Sequence, residues 1–381
     1  MTRPLRILHC FRSPVGGVFR HVRDLAEEQS KAGHEVGILC DSLTGGEHED
    51  RLFDDIAPFL ALGIVRLPIR RQITLTDAAT LWSSYKEIKS LRPDVLHGHG
   101  AKGGLLARVL GSILRVNRYR VARLYTAHGG SLHFPRHSFQ GILVHSLERM
   151  LEFLTDGLIF ICDFERRTYE AKIGKPRTRS VMIYNGISER DFRIIPTRSD
   201  SVHFVYIGML RDLKGPDLFV DAFAKTERRI GRPLSALMIG DGPDRDKYHR
   251  MMVERGLGHR IGMLPAMRVQ EAFAVSQNVV VPSRAEAMPY IVLEALAAGK
   301  AVIASRVGGV AEALGDNNPA LAKPEDADDL SRIMAEAITE PLWGARNMPD
   351  IGTIRSIFSA SAMARDTLHL YQNILGLDSD G

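Results

Sequence analysis

Asn278-Val279-Val280-Val281-Pro282-Ser283-Arg284-Ala285-Glu286-Ala287-Met288-Pro289-Tyr290-Ile291-Val292-Leu293-Glu294-Ala295-Leu296-Ala297-Ala298 is the stretch that decides the fold. Asn278–Pro282 is apolar and β-branched, as a strand covered on both faces must be. Tyr290–Ala298 has a helical pattern, and the next apolar run, Ala301–Ser305, reads as another strand. Strand, loop, helix and strand make a right-handed crossover, hence a parallel sheet. Pro289 suits the first helical position. The amides of Tyr290 and Ile291 then point out of the helix N-terminus, a favourable place for an anion. Glu286 precedes that helix beside the same pocket, with Ala287 and Met288 between it and Pro289. Glu294 lies between Leu293 and Ala295, and a carboxylate on so apolar a helix needs donors; a vicinal diol supplies two. The plain alternative is a buried carboxylate capping a neighbouring loop.

The same alternation runs outward through the chain. Strand-like runs are Leu5–Phe11, Glu35–Cys40, Asp94–His97, Val121–Thr126, Gly157–Cys162 and Ser180–Tyr184, then Val202–Ile207 and Ser235–Ile239. Helical patterns lie between them, among them Phe19–Lys31, Phe139–Leu154, Asp217–Arg229 and Ala327–Ile338. The chain of 381 residues exceeds one ordinary core. Two doubly wound α/β domains are expected, residues 1–190 and 191–355, with Ile194–Ser201 as the polar, proline-broken linker. Ligands then bind at the carboxyl ends of the strands, and the cleft between the two domains is the expected site.

Composition excludes several classes. Residues 1–190 carry 28 Lys and Arg against 20 Asp and Glu, a net +8, while the remainder is net −3. An overall excess of +5 is too small and too spread for a nucleic-acid binder. Cys10, Cys40 and Cys162 are odd in number and far apart, which predicts buried reduced thiols and no cysteine-based zinc site. Neither a signal-peptide core nor an apolar run of membrane-spanning length is present, so the expected location is cytoplasmic.

Four further motifs sit at strand ends. Val15-Gly16-Gly17-Val18 lets backbone approach a ligand at a helix N-terminus, or makes a tight turn; it is not Gly-x-Gly-x-x-Gly. Thr126-Ala127-His128-Gly129-Gly130 places His128 at a strand's carboxyl end and favours it as a site residue. His97-Gly98-His99-Gly100 ends another strand, and His99 reads as a loop histidine bonded to backbone; a histidine metal site is conceivable but has no supporting helical spacing. Gly208-Met209-Leu210-Arg211-Asp212-Leu213-Lys214-Gly215 pairs a planar fork of donors with a point charge, which suits a diphosphate. Gly240-Asp241-Gly242 is a turn at the next strand end, and Val307-Gly308-Gly309 adds another glycine-rich rim.

Together these residues resemble the retaining GT-B glycosyltransferases of the family 4 type. The Gly-Gly loop, strand-end histidine, Arg-x-x-Lys-Gly, Gly-Asp-Gly and Glu-x7-Glu elements occur in order over nearly the whole chain, with Tyr184-Asn185-Gly186-Ile187 at the domain junction. One departure is Glu286-Ala287-Met288-Pro289 where the family usually has Glu-Gly-Phe-Pro. The resemblance implies two Rossmann-like domains facing a central cleft, and a helix within 356–381 that returns to the first domain. It implies retaining transfer of a sugar from a UDP- or GDP-sugar to a saccharide acceptor, with lipid-linked saccharides common, in bacterial polysaccharide or glycolipid synthesis. No cofactor and no metal are expected. Arg211 and Lys214 would hold the diphosphate, the amides near Tyr290 and Ile291 would share its charge, Glu286 would hold sugar hydroxyls, Glu294 the ribose, and His128 the sugar near the reacting carbon. The competing classes are a sugar-nucleotide epimerase, a non-catalytic protein that only binds sugar nucleotides within a synthetic complex, and a nicotinamide oxidoreductase; the last lacks its glycine fingerprint. Arg66, Arg70, Arg71, Arg115, Arg118, Arg120 and Arg123, with the apolar stripe of Phe139–Leu154, suggest contact between the first domain and an anionic membrane face, against the alternative of core packing.

Overall fold

The structure is a computed structural model and describes residues 3–70, 76–116 and 120–377. The chain forms two compact units, one of residues 1–186 with 359–381 and the other of residues 187–358. The first contains β1 (Arg6–Phe11), β2 (Glu35–Asp41), β3 (Gly63–Leu67), β4 (Val95–His99), β5 (Ala122–Thr126), β6 (Gly157–Phe160) and β7 (Arg179–Met182). The second contains β8 (Phe204–Ile207), β9 (Ala236–Ile239), β10 (Ile261–Leu264), β11 (Asn278–Val281), β12 (Ala301–Ser305) and β13 (Leu321–Ala322). The sheets run β3-β2-β1-β4-β5-β6-β7 and β10-β9-β8-β11-β12-β13. Their strand pairs are parallel. Each sheet reverses its winding beside its first strand, between β1 and β4 and between β8 and β11. Open α/β sheets bind ligands outside the strand ends at such points.

The central strands are buried along their length, β4 and β5 at every residue. Each fully buried aliphatic side chain contributes roughly 1.5–3 kcal/mol, which is what draws these runs inside. In the first unit the helix Ala360–Leu375 completes a core of Leu5, Ile7, Val95, Leu124 and Ile159 with Met363, Leu368, Leu370 and Tyr371. Ser359 caps this helix by accepting from Ala362 N, and Gly376 ends it at φ +66.

The stretch Ile194–Ser201 is not a free linker. Ile195 N donates to Ala298 O and Arg198 N to Ala274 O, so it lies along the second unit, and the division falls at Gly186/Ile187. All three cysteines are buried and free. Burial pushes the thiols of Cys10 and Cys40 up to about 12, so both stay protonated at neutral pH.

Candidate functional site

In the second unit the site forms at the carboxyl ends of β8 and β11. After β8 the chain passes Gly208 and Met209 into a single 3-10 turn, Asp212–Lys214. Gly215 at φ +66 then opens the helix Pro216–Ile230. A Cβ on Gly215 would stand 2.1 Å from the Pro282 carbonyl oxygen, so only glycine lets this turn lie against the end of β11. That approach joins Lys214 to Glu286: Nζ donates to Oε1 at 2.6 Å and to Oε2 at 2.8 Å, and Ser283 Oγ donates to Oε1 at 2.7 Å. Lys214 is therefore not the mobile point charge its loop position suggests. A nearly buried carboxylate needs a cation, and Lys214 supplies it. Arg211 is exposed at the head of the turn.

Arg284 is a residue the motif reading passed over. It forks onto Asp217 at 2.9 and 2.5 Å and donates to the Asp212 carbonyl at 2.7 Å, tying the turn to the loop that carries Glu286. The glycine rims press on the same backbone. Gly308 has φ +58, and a Cβ there would stand 2.0 Å from the Glu286 carbonyl oxygen. Gly309 N donates to the Ala287 carbonyl. Gly208 N donates to Ile239 O and Leu210 N to Asp241 O, which lays the Gly240-Asp241-Gly242 turn beside the first loop. Asp241 Oδ2 accepts from Ala266 N at 2.9 Å. Pro289 is not the first helical residue but the N-cap of Tyr290–Ala297, with extended backbone at ψ 125, so the helix starts one residue later than its proline suggests. Met288 and Tyr290 are buried, while Ile291 and Glu294 are half-buried.

Asp-x-Asp spacings do occur, at Asp244–Asp246 and Asp326–Asp328, with Asp378–Asp380 outside the described residues. Asp326 is occupied as a helix cap, accepting from Asp328 N and Asp329 N at 3.0 and 2.9 Å, and Asp328 pairs with Lys225.

In the first unit Gly16 at φ +68 begins the helix Gly16–Lys31, earlier than the apolar pattern indicated, and Gly17 is in its first turn. Val15, the N-cap, provides no side-chain acceptor, so the first amides of this helix have no capping partner from it. His128 also has a positive φ, +51, uncommon for a side chain with Cβ. The next amide, Gly129 N, donates to Glu165 Oε1 at 2.6 Å, and Ile161 N donates to Glu165 Oε2 at 2.9 Å. Glu165 thus fixes the loop of His128; its only sequence signal is its place in the first turn after β6.

Burial pushes the Glu165 carboxyl up to about 7 from an ordinary 4.5. Between those values the folded chain binds more protons than the unfolded one, so this group's stabilisation is complete below about pH 4.5 and lost as pH rises through 7. Glu165→Gln is expected to flatten the decline in melting temperature from pH 5 to 8. The pH-linked term removed is up to about 3 kcal/mol. An unchanged slope contradicts it.

Four further imidazoles gather around His128, making a cluster of five. Gln29 Oε1 meets His9 Nε2 at 2.8 Å, His9 Nδ1 meets His99 Nε2 at 2.9 Å, and His99 Nδ1 meets His128 Nε2 at 3.1 Å. His21 Nδ1 lies 3.0 Å from Asn185 Oδ1, and His97 is held by Tyr371 OH and Thr126 Oγ1. His99 is therefore no loop histidine on backbone: it ends β4, buried, between two other imidazoles. Burial lowers all five below the usual imidazole range and keeps them neutral.

The arginines read as membrane-facing are largely committed inside the unit. Arg66 pairs with Asp50, Arg115 and Arg123 with Asp156, and Arg120 donates to the Ile374 carbonyl; Arg71 and Arg118 lie outside the described residues. The stripe is divided: Leu151 is buried and Leu147 and Leu154 are half-buried, but much of the rest faces outward. In the helix Phe139–Leu151 and the turn Glu152–Leu154, Phe139, Ile142, Leu143, Met150 and Phe153 are exposed, Phe139 at 84%. Among the described residues no helix is long and apolar enough to cross a membrane.

Comparison with known proteins agrees with this architecture. Residues 15–190 match the family described as Glycosyltransferase Family 4, and residues 187–350 match Glycosyl transferases group 1. The chain is 26% identical over 375 residues to the glycogen synthase of Mycobacterium tuberculosis, covering 87% of this chain and 84% of that protein. Among solved structures it is similar to sucrose-phosphate synthase from Thermosynechococcus elongatus, with TM-score 0.77, 20% identity and coverage of 98% and 100%. It is also similar to Anabaena HepE in complex with UDP-glucose, with TM-score 0.79, 17% identity and coverage of 97% and 100%. With both sheets wound in the same order and both family matches meeting at the junction of the units, the chain belongs to the GT-B glycosyltransferases of the family 4 type.

Proposed function

We propose that this glycosyltransferase moves a sugar, with retention at the anomeric carbon, from a UDP- or GDP-sugar to a saccharide acceptor in polysaccharide or glycolipid assembly. The observation that carries the reading is Lys214 paired with Glu286 at the switch point of the second sheet, with Arg211 beside it. As the glycosidic bond breaks, the diphosphate gains negative charge. Cations already placed there stabilise that charge without reorganisation. Arg211, Lys214 and the amides at Tyr290 and Ile291 are the diphosphate contacts in this reading. Glu286 holds sugar hydroxyls and Glu294 the ribose. The Gly208, Gly240-Asp241-Gly242 and Met288-Pro289 backbone shapes the donor pocket in this reading. The complex of HepE with UDP-glucose supports the donor class.

A panel of UDP-, GDP- and ADP-sugars screened by thermal melting tests the donor. A nucleotide sugar at 100 times its dissociation constant adds about 2.7 kcal/mol. No stabilisation by any of them overturns the reading, and conversion of the donor sugar without transfer would assign an epimerase. The diphosphate charge is met here by side chains and amides. Loss of activity on chelation, restored by Mg²⁺, is the result that contradicts this.

The exposed face of Phe139–Leu151 supports a lipid-linked acceptor, with a membrane surface as partner. Arg136 and Arg149 lie on or near that segment in sequence, and Arg149 donates to the Lys175 carbonyl at 2.8 Å. Sedimentation with anionic vesicles is expected, weakening as salt screens the charge. Phe139→Ser with Leu143→Ser should reduce it at least about tenfold, since two apolar side chains lose their burial. Absence of binding to anionic and neutral vesicles alike at low salt removes the membrane and leaves a free acceptor.

A further inference from the structure

The histidines of the first unit bring together more ligand atoms than the transfer reading uses. Two groups of three converge within 4.8 Å: His9, His97 and His99, and His21, His99 and His128. The first is already consumed, because both nitrogens of His97 are bonded to side chains outside the group, Tyr371 and Thr126. The second is arranged differently. The Gln29 carbonyl can only accept, so His9 carries its proton on Nε2 and offers a lone pair at Nδ1. His99 then donates Nε2–H to His9, and its Nδ1 lone pair faces inward. His21 donates Nδ1–H to Asn185 Oδ1, and its Nε2 lone pair is the remaining one. Metal-bound histidines show this pattern, with the outer N–H held by a protein acceptor and the inner nitrogen free for the ion.

The spacing also fits. Three imidazoles on one tetrahedral ion, each nitrogen about 2.1 Å out, put ligand atoms roughly 3.4 Å apart and ring centroids roughly 5 Å apart. Here His99 Nδ1 and His128 Nε2 are 3.1 Å apart. The ring centroids are 5.2 Å for His21–His99, 5.3 Å for His99–His128 and 4.6 Å for His21–His128. A single proton bridges only two of the three converging atoms, whereas a divalent cation meets all of them.

We propose that His21, His99 and His128 form a three-histidine site for a borderline divalent cation of the zinc class, with Asn185 and the His9–Gln29 pair as its outer hydrogen-bond acceptors. Imidazole suits zinc and its neighbours rather than magnesium, and the fourth tetrahedral position falls to water or an added ligand. The ligands come from the helix Gly16–Lys31, the end of β4 and the loop after β5.

The test uses the untagged full chain, stripped with a chelator and titrated with zinc chloride alone. One zinc per chain is expected, and cobalt in its place is expected to give the visible absorption of a tetrahedral site. His21→Gln and His99→Gln should each weaken zinc binding at least about tenfold. His249→Gln, an exposed histidine of the second unit, should leave it unchanged. Circular dichroism checks that the variants are folded. His128→Gln, at a half-buried loop position, stands in where replacing a buried imidazole prevents folding. No zinc taken up by the wild type, or equal uptake by folded variants of all three cluster positions, overturns the site.

Discussion

Lys214→Ala is expected to lower turnover at saturating donor by about 10²–10³, the effect of removing one preorganised charge contact to a leaving group. The structure adds a second consequence. Glu286 is 9% exposed in its side chain and takes its ion pair from Lys214, so the alanine variant leaves a nearly buried carboxylate with Ser283 alone. A stability loss of about 1–3 kcal/mol should accompany the kinetic one. Arg211→Ala separates the two effects, since Arg211 is exposed: a comparable loss of turnover is expected with a stability change within about 0.5 kcal/mol. Steady-state kinetics and urea unfolding on the same preparations give both quantities. Unchanged turnover in both variants removes the diphosphate assignment.

Arg108→Met should give the largest loss of stability, about 3–5 kcal/mol, measured by urea unfolding. Arg108 is fully buried, lies 2.9 Å from Glu148, stacks 4.0 Å over the Tyr125 ring and donates to the Gly104 carbonyl. Glu148 is itself 3% exposed and accepts from Tyr125 OH. Removing the cation leaves a buried charge without compensation, which costs far more than the intact pair contributes. The double variant Arg108→Met with Glu148→Leu should recover much of the loss. No recovery would mean that the guanidinium acts mainly through its packing on Tyr125.

Most strands legible in the sequence are buried along their length, although the exposed edge strand β7 also shows in the run Ser180–Tyr184. β11 and β12 are nearly continuous apolar runs because helices cover both sides of a parallel sheet, while β4 and β5 are buried throughout although His97, His99 and Arg123 interrupt their apolar pattern. β3, β10 and β13 escaped notice: the first is only partly buried and the last has two residues, so edge strands carry little apolar signal. The glycine motifs were legible for a local reason. A positive φ at Gly215, or a carbonyl pressed on Gly308, limits the residue type whatever the rest of the chain does.

What the sequence by itself determined was therefore the alternation of elements, the two-unit plan and the glycine-marked ends of the strands where chemistry collects. Tertiary structure decided which charges meet and which apolar faces are covered. Lys214 finds Glu286, and Arg284 finds Asp217, only because β8 and β11 are neighbours. His21, His99 and His128 lie far apart in the chain and share no local spacing; β1, β4 and β5 lying side by side is what gathers them. The stripe of Phe139–Leu151 shows the same limit from the other side. Helical periodicity says that one face is apolar, but whether anything packs on it is set by neighbours distant in sequence, and here Phe139, Ile142 and Leu143 remain exposed.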